Sequence, residues 1–147
     1  MVKPEPLTVL YAEDEPGDRI PYADYLRAKG IQVIEATTPE GTMKCLELHP
    51  DRVRIDLVVL DLVMPAGDID GGRKVLAFMQ KHGIMVPVLL ATAWGFNGPA
   101  KRAKDAYPDV VATRIMTKPF APVDLHKAVT DVVKEWSKRK KGAKSSA

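Results

Sequence analysis

Five polar residues at the ends of four expected strands are the residues best placed for chemistry. Glu13 and Asp14 follow Leu7 to Ala12, Asp61 follows the run Leu57 to Leu60, Thr92 follows Val86 to Ala91, and Lys118 follows Ala112 to Thr117. One aspartate at the end of such a run is more often a helix cap or a solvated loop acid, so the argument rests on the set. In open α/β sheets, ligands bind outside the carboxyl ends of the strands. If the runs ending at Asp14 and Asp61 are neighbours, their ends lie about 4.8 Å apart. Carboxylates that close repel by roughly 4 kcal/mol per pair at 4 Å and an effective dielectric near 20, so three of them call for a cation. An all-oxygen, incompletely enclosed site favours Mg²⁺ that keeps several waters over zinc. Beside such an ion, Asp61 becomes a usable nucleophile toward a phosphoryl group, with Lys118 pairing the phosphoryl oxygens and the Thr92 hydroxyl bonding one of them.

The elements that must position these groups can be read from the pattern. The run Leu57 to Leu60 is continuous and rich in Val and Leu, which suits a strand buried on both faces, and Leu7 to Ala12, Val86 to Ala91 and Ala112 to Thr117 read as further strands. Between them lie helix signals. A helix is expected from about Asp18 to Lys29, with Ile20, Ala23, Tyr25, Leu26 and Ala28 as its apolar stripe and Pro21 in its first turn. Gln32 to Ala36 is a short strand, and Thr38-Pro39-Glu40 opens a helix through Leu48. Further helices are expected over 73–81, over a short basic stretch ending before Pro108, and over 122–138 with Leu125, Ala128, Val129, Val132, Val133 and Trp136 at helical spacing. Five strands alternating with five helices imply a parallel sheet covered on both faces.

Composition narrows the class. With 147 residues, the chain can bury one core, giving one domain over residues 1–138. There is no apolar stretch of roughly 18 residues and no signal-peptide core, so no membrane partner is expected and the cytoplasm is the expected location. The single cysteine, Cys45, reads as a small packed hydrophobe, and His49, His82 and His126 lack metal-ligand spacing. The net charge of +3 hides an asymmetry: residues 134–147 hold six basic groups against the acid Glu135, so the rest of the chain is slightly acidic. Residues 139–147 read as a solvated, disordered basic tail, which argues against a dedicated nucleic-acid binder.

The order of YAEDEP, VVLDLVMP, LLATA and TKPF resembles the receiver domain of two-component response regulators, over residues 7 to about 138. The resemblance implies a CheY-like, flavodoxin-like doubly wound α/β fold with strand order 2-1-3-4-5, an order known for a relative of that family. It makes Asp61 the phosphoacceptor, Asp14 a direct Mg²⁺ ligand and Glu13 a ligand through water, with Asp61 and the main-chain carbonyl of Val63 completing the protein ligands. Thr92 becomes the switch hydroxyl and Lys118 the family's lysine, followed by a cis peptide at Pro119. The implied partners are a histidine kinase or histidine phosphotransfer protein and a downstream docking protein. A homodimer is left open.

The chain departs from the family pattern in four places. Glu13 stands where aspartate is usual, and the loop from Ala66 to Ile69 is two residues longer than usual. Ile115 replaces the common Tyr or Phe three before Lys118, and the segment Trp94 to Pro99 lengthens the connection to the fourth helix. Val63 and Trp94 occupy positions that flank the path of hydrolytic water in the family, which implies slow self-dephosphorylation. Three other readings compete: a phosphatase of the haloacid-dehalogenase class, disfavoured because Val63 replaces its second acid; a pseudo-receiver that acts only by interaction; and a basic-tail contact with nucleic acid or an acidic partner. The receiver reading makes the chain a signalling phosphoacceptor rather than an enzyme, beyond self-phosphorylation from small donors.

Overall fold

The computed structural model describes residues 5–68, 70–93 and 98–145. Five strands, β1 (Thr8–Ala12), β2 (Gln32–Ala36), β3 (Leu57–Leu60), β4 (Val88–Thr92) and β5 (Val111–Thr117), alternate with helices α1 (Pro16–Ala28), α2 (Pro39–Glu47), α3 (Gly71–Lys81), α4 (Pro99–Ala106) and α5 (Pro122–Ser145). All pairings are parallel and the order is β2-β1-β3-β4-β5, as the resemblance implied. Side chains alternate across each strand and so divide the core in two. Leu10, Ala12, Val58, Leu60 and Leu90 pack beneath α2, α3 and α4 through Leu46, Leu76, Met79 and Ala103. Val9, Tyr11, Leu57, Val59 and Leu89 pack on the other face against Leu26 of α1 and Leu125, Ala128, Val129 and Val132 of α5. Among the described residues, no helix is long and apolar enough to cross a membrane.

Several helix boundaries differ from expectation, each for a local reason. α1 begins at Pro16, where the Glu15 carboxylate accepts the Gly17 N–H at 3.4 Å. That places Pro21 inside the helix rather than in its first turn, and Ile20 points outward at 45% exposure instead of joining the stripe. α5 continues through Ser145, past the expected end at Lys138, so residues 139–145 are helical rather than a disordered tail. By contrast, α2 starts as read, with the Thr38 hydroxyl accepting the Gly41 N–H at 2.9 Å. β2 is the edge strand beside β1, and Arg27 covers part of that edge by donating to the Val33 carbonyl at 3.0 Å and to Glu35. His49 also has a structural job: its Nδ1 accepts the Ile55 N–H at 3.0 Å, ordering the approach to β3.

α3 begins two residues before the expected Arg73 because the loop after β3 presses against its first turn. A Cβ on Gly71 would fall 1.5 Å from the Met64 carbonyl oxygen, and one on Gly72 would fall 2.5 Å from the Leu62 Cα and 2.7 Å from the Asp61 carbonyl oxygen. Gly72 N–H also donates to the Leu62 carbonyl at 2.9 Å. The two glycines are thus a close-approach requirement as well as a helix start. Gly71→Ala or Gly72→Ala is expected to cost about 3 kcal/mol, at the upper end of overpacking penalties, because the obstruction is backbone. Gly30→Ala, which has φ +85° but open space around it, should cost only about 1–2 kcal/mol. Urea denaturation midpoints of the three variants check the ranking.

Candidate functional site

The register brings the strand ends together. Ala12 pairs with Leu60, so Glu13 and Asp61 leave adjacent strands at one level, and the Asp61 N–H donates to the Ala12 carbonyl at 3.1 Å. Thr92 pairs with Thr117, and the Lys118 N–H donates to the Thr92 carbonyl at 2.8 Å. The tight α3 contact holds the segment after Asp61 from behind.

Lys118 lies at the centre. Its Nζ donates to Asp61 Oδ2 at 3.0 Å and to Glu13 Oε1, with Asp18 Oδ2 at 3.4 Å. Asp61 Oδ1 accepts the Val63 N–H at 3.0 Å, and Asp14 Oδ2 accepts the Ala66 N–H at 2.9 Å. Glu13 and Asp61 are buried, while Asp14 is half-buried. Glu13, Asp14 and Asp61 each offer a carboxylate oxygen, and these oxygens lie within 4.8 Å of one another. The buried Glu13 Oε2 has no hydrogen-bond partner. An orphaned buried acceptor facing two more carboxylates fits a hard divalent cation, which would give that oxygen a partner and offset the mutual repulsion.

The electrostatics follow. Burial, together with a hydrogen bond to Asp61, pushes Glu13 up to about 8 from an ordinary 4.5, against the opposing pull of Lys118. Burial works against the Lys118 charge, but its bonds to Glu13 and Asp61 outweigh this and hold it above the ordinary lysine range. Beneath the site, burial raises the Tyr11 phenol, so it stays protonated; its hydroxyl lies 3.3 Å from the Asp18 carbonyl it donates to.

Of the residues expected from sequence, Glu13, Asp14, Asp61, Val63 and Lys118 share the wall of one 290 Å³ cavity, bordered by Ala66 and Gly67 of the longer loop. Thr92 is fully buried behind it, and Ala93 takes the place on the wall. The Lys118–Pro119 peptide is cis, as implied. Ile115 pairs with Leu90 and is half-buried. Trp94 and Ile69 lie outside the described residues. Cys45 is partly buried and packs against the core, and burial raises its thiol.

Two residues escaped the sequence reading. Asp18 was read only as a helix start, yet it shares Lys118. Arg19 Nη1 donates to the Glu13 carbonyl at 2.9 Å and toward that of Asp14 at 3.4 Å, while its Nε bonds Glu35 of β2 at 3.0 Å. It fastens the backbone of the acidic loop from outside. No local signal marks it: that Arg19 is largely buried and lies opposite Glu35 depends on the fold.

The family model for the response regulator receiver domain matches residues 9–130. The chain belongs to this receiver family. The transcriptional regulatory protein PdtaR of Mycobacterium tuberculosis is 32% identical over 126 residues, covering 84% of this chain and 55% of its own length. The chain therefore spans about half of that relative. A CheY-like receiver domain protein from Methanospirillum hungatei superposes with a TM-score of 0.75 at 18% identity, over 91% of this chain and 98% of the other. Chemotaxis protein CheY4 of Vibrio cholerae does so at 0.70 and 21%, over 86% and 98%. At those identities the structural likeness speaks for the fold, and it agrees with the observed order.

The raised Glu13 has a consequence for this receiver without metal. Between pH 4.5 and about 8 the unfolded chain ionises Glu13 while the folded chain keeps it protonated, so the folded state binds more protons and loses stability as pH rises. Thermal melts in chelator should fall across that window, and Glu13→Gln should flatten the fall. Mg²⁺ at about a hundred times its Kd should restore about 2.7 kcal/mol at pH 8.

Proposed function

We propose that this receiver accepts a phosphoryl group on Asp61 with Mg²⁺ and thereby changes the surface it offers to a partner. The observation that carries this is the environment of the Asp61 carboxylate: Lys118 Nζ on Oδ2, the Val63 N–H on Oδ1, and the carboxylates of Glu13 and Asp14 beside it. Glu13, Asp14, Asp61 and the Val63 carbonyl would hold the ion. When bound, Mg²⁺ would neutralise charge between Asp61 and an incoming phosphoryl group.

An Asp61 oxygen attacks phosphorus; the new O–P bond forms as the donor's P–N or P–O bond breaks, and the leaving group departs with that electron pair. Lys118, already on Asp61, follows the charge onto the phosphoryl oxygens. The product adds about −1.5 to −2 charges to this pocket. Thr92 would turn its hydroxyl toward the new group. With Ile115 in place of an aromatic, the change must reach a docking partner by a route other than a ring swinging inward, and that partner must bind one conformer more tightly. A histidine kinase or histidine phosphotransfer protein would be the donor.

Intact-protein mass after incubation with Mg²⁺ and acetyl phosphate or phosphoramidate tests this. A single phosphoryl adduct is expected, absent in Asp61→Asn and in chelator. No adduct from either donor would overturn the proposal and leave a module that acts by interaction alone. Val63→Asn is expected to shorten the half-life of the adduct, since valine excludes water without orienting it; a longer half-life would count against that role.

A further inference from the structure

α5 outlasts the core it covers. Leu125, Ala128, Val129 and Val132 are buried, Val133 and Trp136 are half-buried, and Lys134, Glu135, Ser137, Lys138 and Arg139 are exposed. The helical backbone then runs on to Ser145. From Lys134 onward the sequence holds six cations, Lys134, Lys138, Arg139, Lys140, Lys141 and Lys144, and one acid, Glu135. Lys134 and Lys138, Lys138 and Lys141, and Lys140 and Lys144 stand three or four residues apart, where like charges destabilise a helix by about 0.2–0.5 kcal/mol per pair. The helix dipole favours cations only in the last turn. Among the described residues, Lys134, Lys138 and Arg139 make no salt bridge; Arg139 lies over the Trp136 ring at 5.8 Å.

The same pole of the molecule carries more positive charge. Arg54, 71% exposed at its side chain but paired with Asp56 Oδ1 at 2.9 Å, lines a 210 Å³ cavity with Asp56, Trp136 and Ser137. Arg52 and Arg54 line a second cavity, of 460 Å³, with Thr8 and Gln32, the first residues of β1 and β2. This is the amino-terminal edge of the sheet, opposite the carboxylates at the strand ends. The chain is therefore an electrical dipole, with the clustered acids of the strand ends at one pole and the α5 extension and Arg52 at the other, where Asp56 already pairs Arg54.

We propose that this basic pole binds the phosphate backbone of duplex nucleic acid without sequence preference, with the Asp61 cavity facing away. The stretch from Lys134 to Lys144 spans about 15 Å of helix axis. Its six cations give about one charge per 2.5 Å, a density close to the duplex's one phosphate per roughly 1.7 Å. An anionic membrane is the poorer match, because the sequence after Trp136, SKRKKGAKS, has no apolar face to insert.

The test is fluorescence anisotropy of the full chain with two duplexes of unrelated sequence, from about 50 to 200 mM salt, alongside anionic vesicles. Both duplexes should bind equally, with a log–log salt slope of about −3 to −5. The triple variant Lys138→Gln, Lys141→Gln, Lys144→Gln should flatten the slope by about 3 and weaken binding at least tenfold at about 50 mM salt, and Arg52→Gln by about 1 in slope. Circular dichroism checks that the triple variant keeps its helix. No duplex binding at about 50 mM salt, undiminished binding by the triple variant, preference for one duplex, or binding to vesicles in place of duplex would each overturn the proposal.

Discussion

The structure depends on one lysine that holds together acids the fold has forced into proximity. A parallel sheet of order β2-β1-β3-β4-β5 places the ends of β1 and β3 side by side, and each ends in carboxylates. Left alone, that corner would push itself apart. Lys118, delivered by β5 from two strands away, reaches Glu13, Asp61 and Asp18 together. One positive charge cannot satisfy them all, which is why Glu13 remains raised and one of its oxygens remains without a partner. The site is therefore held in a condition that favours a further positive charge, and the rest of the domain resists relaxation by packing α3 against the loop behind Asp61.

Much of this was legible in the chain because fully buried parallel strands are apolar almost throughout, so the central strands β1, β3 and β4 advertise themselves and their polar termini. Leu57 to Leu60 is read that way with its bounds, and the strand expected over Val86 to Ala91 is found at Val88–Thr92. The site was legible for the same reason: Asp61, Glu13 and Asp14 stand where apolar runs stop, and Lys118 was marked by the Thr-Lys-Pro-Phe motif. What stayed hidden were relations that depend on distance across the fold. Nothing local to Asp18 says that it will share a lysine one hundred positions away. Nothing local to Arg19 says that its guanidinium will grip two main-chain carbonyls. Nothing local to Gly71 and Gly72 shows why they lack side chains, because the obstruction they avoid belongs to Met64, Leu62 and Asp61. The length of α5 was misjudged because a lysine-rich segment carries no apolar stripe to mark a helix.

The two halves of the core differ in what they connect. The face under α1 and α5 ties the acidic loop to the helix that carries the basic extension, with Tyr22 donating to the Phe120 carbonyl at 2.6 Å. The face under α2, α3 and α4 backs the loop after Asp61 and the buried threonine. An event at Asp61 thus abuts both layers, and the layer it disturbs decides which helices move.

The outer margin of the sheet shows how this chain guards one edge against extension. β2 is a border strand, and the open carbonyls of such a strand invite an extended segment from another copy to add itself to the sheet. Arg27 occupies the Val33 carbonyl and, with Arg19, neutralises Glu35 on the same strand. A bulky charged side chain thus lies across the place where a neighbouring backbone would dock. Association by sheet extension is discouraged on that side by Arg27, while Arg19, which steadies the acidic loop, shares Glu35 with it, so edge protection and site geometry meet on one acid.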